Sequence, residues 1–245
     1  MKHQYFGDIN DYRKYGLLRV LQSNGDRKLL VVWMLTADDD GRDGGRRSYL
    51  QAPAEWQEHD PELFATLASL LRSTGRPRVS YIEQSGLLSN SSFFSEPVPD
   101  SREGRVAWRQ GLLEAADDAD LVFLDPDNGI EVPSRPIGRK GSSKYVAWYE
   151  IEALWAAGCS ILIYQHFRRE DRDLLSNKLV ADLQRLTRAT LVEAFRTAHA
   201  LFLLAAQERH EPGFRGAMPL LHLRWANQIE QVGQAKKPLW LHAGY

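Results

Sequence analysis

Short, unbroken apolar runs punctuate this chain, and each ends abruptly in an acid, a glycine or a proline. Lys28–Leu35, Asp120–Asp125 and Cys159–His166 have this form, which is the signature of strands buried on both faces. Between them apolar residues recur at helical spacing. From Asn10, read as a capping residue, Tyr12, Tyr15, Leu18 and Leu21 predict a first helix ended by Ser23-Asn-Gly-Asp. Asp60-Pro-Glu opens a helix to Ser73, with proline at its first position. Ser101 caps a helix reaching Ala116; Trp148 to Ala157 forms another, stopped by Gly158; Glu170 to Arg188 is amphipathic. Arg78–Glu83 predicts a short strand, and the Ser, Asn and Pro-rich stretch from Ser85 to Pro99 predicts a loop. Toward the end, strands are predicted over Thr190–Phe195, Ala200–Ala206 and Met218–Trp225, the last after a turn at Glu211-Pro-Gly-Phe-Arg-Gly.

Alternation of strands and helices up to residue 188 argues an α/β domain, its parallel sheet covered by helices on both faces. The consecutive final strands argue antiparallel pairing at the C-terminal end. The expectation is one Rossmann-like domain over residues 1–245, with a small insertion around 40–60 and a tail over 227–245 docked by Trp240.

In an open α/β sheet ligands bind just beyond the carboxyl ends of the strands. The run Leu121–Leu124 ends in Asp125-Pro-Asp-Asn-Gly, a forced turn that puts Asp125, Asp127 and Asn128 at such an end. The plain alternative is that Asp125 caps a turn and Asp127-Asn-Gly only makes one. Thr36 to Gly45 holds Asp38, Asp39, Asp40 and Asp43 among three glycines. It reads equally as a solvated loop or as a holder of a metal or a cofactor ribose, and its charge excludes a phosphate loop. Arg135, Arg139, Lys140 and Lys144 follow the acidic turn and suit a phosphate backbone or plain solvent. The strand closing in Tyr164-Gln-His166 ends on the same rim, where His166 offers a general base and Gln165 a base-edge reader. A lone histidine is more often structural.

Bulk properties narrow the classes. The 245-residue chain is 43% hydrophobic, enough for a full core. A net charge of −1 gives no global attraction to nucleic acid, so such a partner needs a local patch. One cysteine, Cys159, excludes an internal disulfide and a Cys-rich zinc site, and suits a reducing cytoplasm. The start lacks an apolar signal core, and the longest apolar run falls far short of the ~20 residues of a membrane span.

Two stretches carry a resemblance. Phe6-Gly-Asp-Ile-Asn-Asp-Tyr-Arg-Lys-Tyr15 resembles the N-terminal motif of the bacterial 23S ribosomal RNA adenine-N6 methyltransferases, and Leu124-Asp-Pro-Asp-Asn128 is similar to their catalytic Asp-Pro-Pro-Tyr. The resemblance implies a Rossmann-like methyltransferase sheet, S-adenosyl-L-methionine as donor and a nucleic-acid base, in RNA, as acceptor. It implies that Asp125 accepts a hydrogen bond from the acceptor's exocyclic amine and orients it; Asp127 and Asn128, on the residues' own reading, could help orient an amine or ligate a hard divalent metal. Lys14, Thr36, Glu83 and Asp125 would meet the cofactor, and Lys140, Gln165 and His166 the substrate. Here Asp127 and Asn128 replace that family's second proline and aromatic, so no aromatic at 128 stacks a flipped base.

Two rivals stand beside this reading. Asp125, Asp127 and Glu131, with Lys140, offer carboxylates and a cation for a metal-dependent nuclease or phosphoesterase. A non-catalytic binding protein on a methyltransferase-like fold is the other.

Overall fold

A computed structural model describes residues 1–23, 26–38, 45–73 and 75–232. Helix α1 (Ile9–Gln22) is followed by β1 (Leu29–Val32), α2 (Pro53–Trp56), α3 (Pro61–Ser73), α4 (Ser80–Gln84), β2 (Ser91–Phe94) and α5 (Arg102–Ala115). Then come β3 (Leu121–Leu124), β4 (Gly129–Ile130), β5 (Tyr145–Val146), α6 (Trp148–Ala156), β6 (Ser160–His166) and α7 (Arg172–Thr187). The chain closes with β7 (Leu191–Arg196), β8 (Ala200–Ala206), α8 (Glu211–Trp225) and β9 (Glu230–Val232).

Seven strands form one sheet in the order β2-β1-β3-β6-β8-β7-β9. The β2, β1, β3 and β6 neighbours pair in parallel. Strand β8 runs against β6 and β7 against β8, so β7 points the same way as β6; β9 again runs against β7. Five of the seven strands thus share one direction, in a Rossmann-like α/β sheet with its antiparallel pairings at the C-terminal end.

Side chains alternate across the sheet with the period of two that a strand imposes. Leu29, Val31, Trp33, Leu121 and Phe123 pack on one face with residues of α1, α3 and α8. Leu30, Val32, Val122, Leu124, Ile161 and Ile163 pack on the other with α5, α6 and α7. Both faces are covered, which is why these strands read as unbroken apolar runs.

Four expectations are corrected. The first helix is capped by Asp8, two residues before Asn10; its carboxylate accepts from the N–H groups of Asn10 and Asp11. Residues 78–83 are not a strand: Ser80–Gln84 is helix α4. The adjoining strand is β2, inside the stretch expected to be loop. Residues 218–225 are the second half of α8, where Phe214, Ala217, Leu221 and Trp225 recur at helical spacing and are buried. Trp225 packs against Gly16 of α1 so closely that a Cβ there would overlap its ring.

Within the small insertion expected around 40–60, the segment carrying Tyr49 and Trp56 packs on α1. Tyr49 stacks on Tyr12 at 5.2 Å between ring centroids, and Trp56 meets both rings edge-on. The tail contributes β9. Trp240 and residues 233–245 lie outside the described residues, as do Asp39, Asp40 and Asp43.

Candidate functional site

From β1 the chain crosses outward to β2, whereas β3 lies on β1's other side. The strand order therefore reverses between β1 and β3, the switch point at which open α/β sheets bind ligands. Register fixes the rim: Val32 pairs with Leu124, and Leu124 with Ile163. The runs ending near Leu35, Asp125 and His166 close on one edge of the sheet.

Beyond β1 the backbone turns sharply. Met34 is a non-glycine residue in the left-handed region, at φ 47°. That conformation costs an ordinary residue roughly 1–2 kcal/mol. Here it brings the Met34 carbonyl to the crevice, where it accepts from the α-ammonium of Met1 at 3.1 Å. The Asp125 carbonyl accepts from the same ammonium at 3.0 Å, and Asp127 Oδ1 pairs with it at 2.8 Å. Asp127 Oδ2 accepts from the Thr36 hydroxyl at 2.6 Å. Burial raises the Asp127 carboxyl, but the ammonium and the Thr36 hydroxyl override it and hold the group below the usual carboxylate value.

The second half of the site is buried. Lys14 reaches from α1 to Asp125 Oδ2 at 2.7 Å and to Asp11 Oδ1 at 2.8 Å, with both lysine and aspartate side chains at most 3% exposed. Burial opposes the lysine's charge, but these two carboxylates hold it ionised. Burial lifts Asp125 above its ordinary value, and the charges of Lys14 and the Met1 ammonium only partly offset that. Asp125 Oδ1 has no hydrogen bond among the described residues. Asp125 and Lys14 are thus brought together from the two stretches that carry the family resemblance.

The remaining candidates separate. Asn128 is half-buried on the turn, and its side-chain amide has no hydrogen-bond partner among the described residues. Glu83, on α4, accepts from Trp33 Nε1 at 2.7 Å and from the Ser95 hydroxyl at 2.9 Å, which sets its carboxylate beyond the ends of β1 and β2. Gln165 is fully buried and braces the turn: Nε2 donates to the carbonyls of Asn128 and His166, and Oε1 accepts from the Ile130 N–H. The structure therefore gives Gln165 a bracing contact with the chain's own backbone. Gly129, at φ 106°, lies against this amide, and a Cβ there would overlap it. His166 is exposed at the rim. Lys140 is exposed on a loop tied down at Gly141 and Ser143, whose N–H groups donate to Asp100.

Glu131 does not join Asp125 and Asp127. Its Oε1 accepts from the Trp148 N–H at the start of α6. No group of three carboxylate, histidine or cysteine side chains suited to a metal ion occurs among the described residues. No helix is long and apolar enough to cross a membrane.

Sequence reasoning missed three parts of this site: the strained Met34, the ammonium contact of Asp127 and the bracing by Gln165. Only the last left a signal, in the glycine of Asp127-Asn-Gly. Compared with protein-family models and with curated protein sequences, the chain matches none.

Proposed function

We propose that the chain is an S-adenosyl-L-methionine-dependent methyltransferase acting on an amine of a nucleic-acid base, with RNA as the substrate. The observation that carries this is the acceptor cradle at the switch point. Two carbonyls, of Met34 and Asp125, and one carboxylate, of Asp127, surround a methionine's α-ammonium. The cofactor bears an amino-acid ammonium of that kind, so this set of acceptors fits it. The Glu83 carboxylate, beyond the ends of β1 and β2, suits ribose hydroxyls.

When bound, the cofactor supplies an electrophilic methyl group. The chain's part is to bind and orient. Asp127, held ionised, and the two carbonyls fix the ammonium; Thr36 fixes Asp127. Asp125 Oδ2 is held by Lys14, which leaves Oδ1 to accept a hydrogen bond from the acceptor's exocyclic amine and aim its lone pair. The unbonded amide of Asn128 lies on the same turn and offers a donor and an acceptor to the base. Proximity carries most of the rate in such a transfer. A ligand taking the cradle displaces Met1, whose side chain and ammonium fill it in this structure.

Isothermal titration calorimetry with S-adenosyl-L-methionine tests the reading. Binding in the micromolar range is expected, weakened ~10-fold or more by Asp127→Asn, which removes a charged acceptor. No heat of binding at millimolar cofactor would sink it.

A further inference from the structure

The rim carries a second feature, on the β6 side of Asp125. His166 ends β6 and pairs in register with Ala200, which brings the β7–β8 turn and its His199 alongside. Arg172 opens α7 just beyond, its guanidinium 4.5 Å from the Phe167 ring centroid. Arg13 precedes Lys14 on α1, and Arg46 lies on the segment whose carbonyl holds the Ile9 N–H. We infer that Arg13, Arg46, His166, Arg172 and His199 form a shelf that binds the phosphodiester backbone of single-stranded RNA and leads it to Asp125.

Three observations support the shelf. First, its arginines form no ion pair with a carboxylate among the described residues. Neither Arg46 nor Arg172 forms an ion pair among the described residues, and both are exposed. The acids near Arg172 in sequence are engaged: Asp173 pairs with Arg196, Asp171 caps α7, and Glu170 lies 3.9 Å from Arg168. Buried Asp8 is the carboxylate whose charge acts on Arg13. Second, Arg13 is 7% exposed, and its Nη1 is buried without a hydrogen-bond partner, although Nε and Nη2 both donate to Gln228. A guanidinium with one buried donor unused is built for one more acceptor. Third, burial lowers the His199 pKa, and the positive charges of Arg46, Arg13, Arg172 and His166 lower it further. Residues from four other segments therefore converge on His199 with positive charge.

The choice of a single strand rests on the methyltransferase reading, because a base must leave its stack to reach Asp125. Phosphate binding itself does not. The shelf also differs from the loop that the sequence singled out: Lys140 and Arg139 sit elsewhere, on the segment pinned by Asp100.

The test is fluorescence anisotropy with a labelled 12-nucleotide RNA, without cofactor and across a salt series. The double variant Arg46→Glu, Arg172→Glu changes two exposed side chains, and unchanged thermal melting verifies its fold. It is expected to weaken binding ~10-fold or more and to flatten the log–log salt slope by about 1.4, since each phosphate contact on a single strand contributes about 0.7. Arg139→Glu, Lys140→Glu is expected to change affinity less than ~2-fold, within the effect of net charge alone. Equal losses in the two double variants, an unchanged shelf variant, or no RNA binding by the wild type would each overturn the shelf. RNA binding through the shelf with no cofactor heat would keep the shelf and remove the methyltransferase reading.

Discussion

The two ends of the parallel strands both bury polar side chains, and only one of them has the makings of a site. At the amino end, Ser160 Oγ lies 2.9 Å from His210 Nδ1, and His210 Nε2 lies 3.2 Å from Asp120 Oδ1. By residue type this is a serine, a histidine and an aspartate in contact. Its geometry is wrong for nucleophilic catalysis. The serine faces Nδ1 and the aspartate Nε2, the reverse of the arrangement that activates a serine. Ser160 is fully buried and already accepts from the Gln207 N–H. It pins β6 to the turn that follows β8. The carboxyl end instead has a strand-order reversal, a left-handed Met34, an acceptor cradle and a carboxylate with a free oxygen. Residue type alone would have favoured the wrong end; position relative to the switch point decides.

The sharpest way to break this contrast is to remove one partner at each end. Lys14→Met strands two buried carboxylates, Asp11 and Asp125, that share one ammonium. Breaking a buried pair in this way costs about 3–5 kcal/mol. Ser160→Ala removes neutral hydrogen bonds and is expected to cost about 1 kcal/mol. Urea denaturation measures both. A loss in Lys14→Met no larger than that in Ser160→Ala would erase the distinction. Ser160→Ala should also leave cofactor heat unchanged, because its hydroxyl lies at the far end of β6.

How much of this could be read from the chain alone follows from what each segment contacts. Strands β1, β3, β6 and β8 are buried on both faces, so their composition declares them. Strand β2 pairs only with β1 and is at most partly buried, which lets Ser91 and Ser92 stand where an apolar run would otherwise announce a strand. Val79-Ser-Tyr-Ile alternates like a strand but folds as one helical turn that sends Ile82 into the core. In α8, Pro212 suits the first turn, whereas Gly213 and Pro219 are breakers by propensity, yet tertiary packing of Trp225 against Gly16 overrides them. Asp125 was legible because a buried strand must end somewhere and proline marks the end. Its partner Lys14 lies 111 residues away, and only the family resemblance suggested that the two belong together. Met34 was illegible, since a left-handed residue usually signals itself as glycine or asparagine.

The smallest predicted effects sharpen the contrast through pH. Near the rim, burial and the neighbouring charge of Asp11 push the Asp8 carboxyl up to about 7, against its helix-capping N–H bonds and the charge of Lys14. The unfolded chain releases that proton near 3.8, so between about 4 and 7 the folded state holds more protons. Its contribution is therefore full below about 4 and is lost as pH rises to about 7. At the amino end the sign is opposite. Burial, then the charge of Arg209, lowers His210 below 6.5, and Asp120 only partly opposes them. The unfolded chain then takes up the proton first, and the contribution of His210 is lost as pH falls below about 6.5. Asp8→Asn keeps a good helix cap and removes the first slope. His210→Gln removes the second. Urea midpoints from pH 5 to 8 should tilt in opposite directions in the two variants relative to wild type. A common tilt, or none in Asp8→Asn, would mean that the buried charges of the rim do not differ in kind from the brace beneath the sheet.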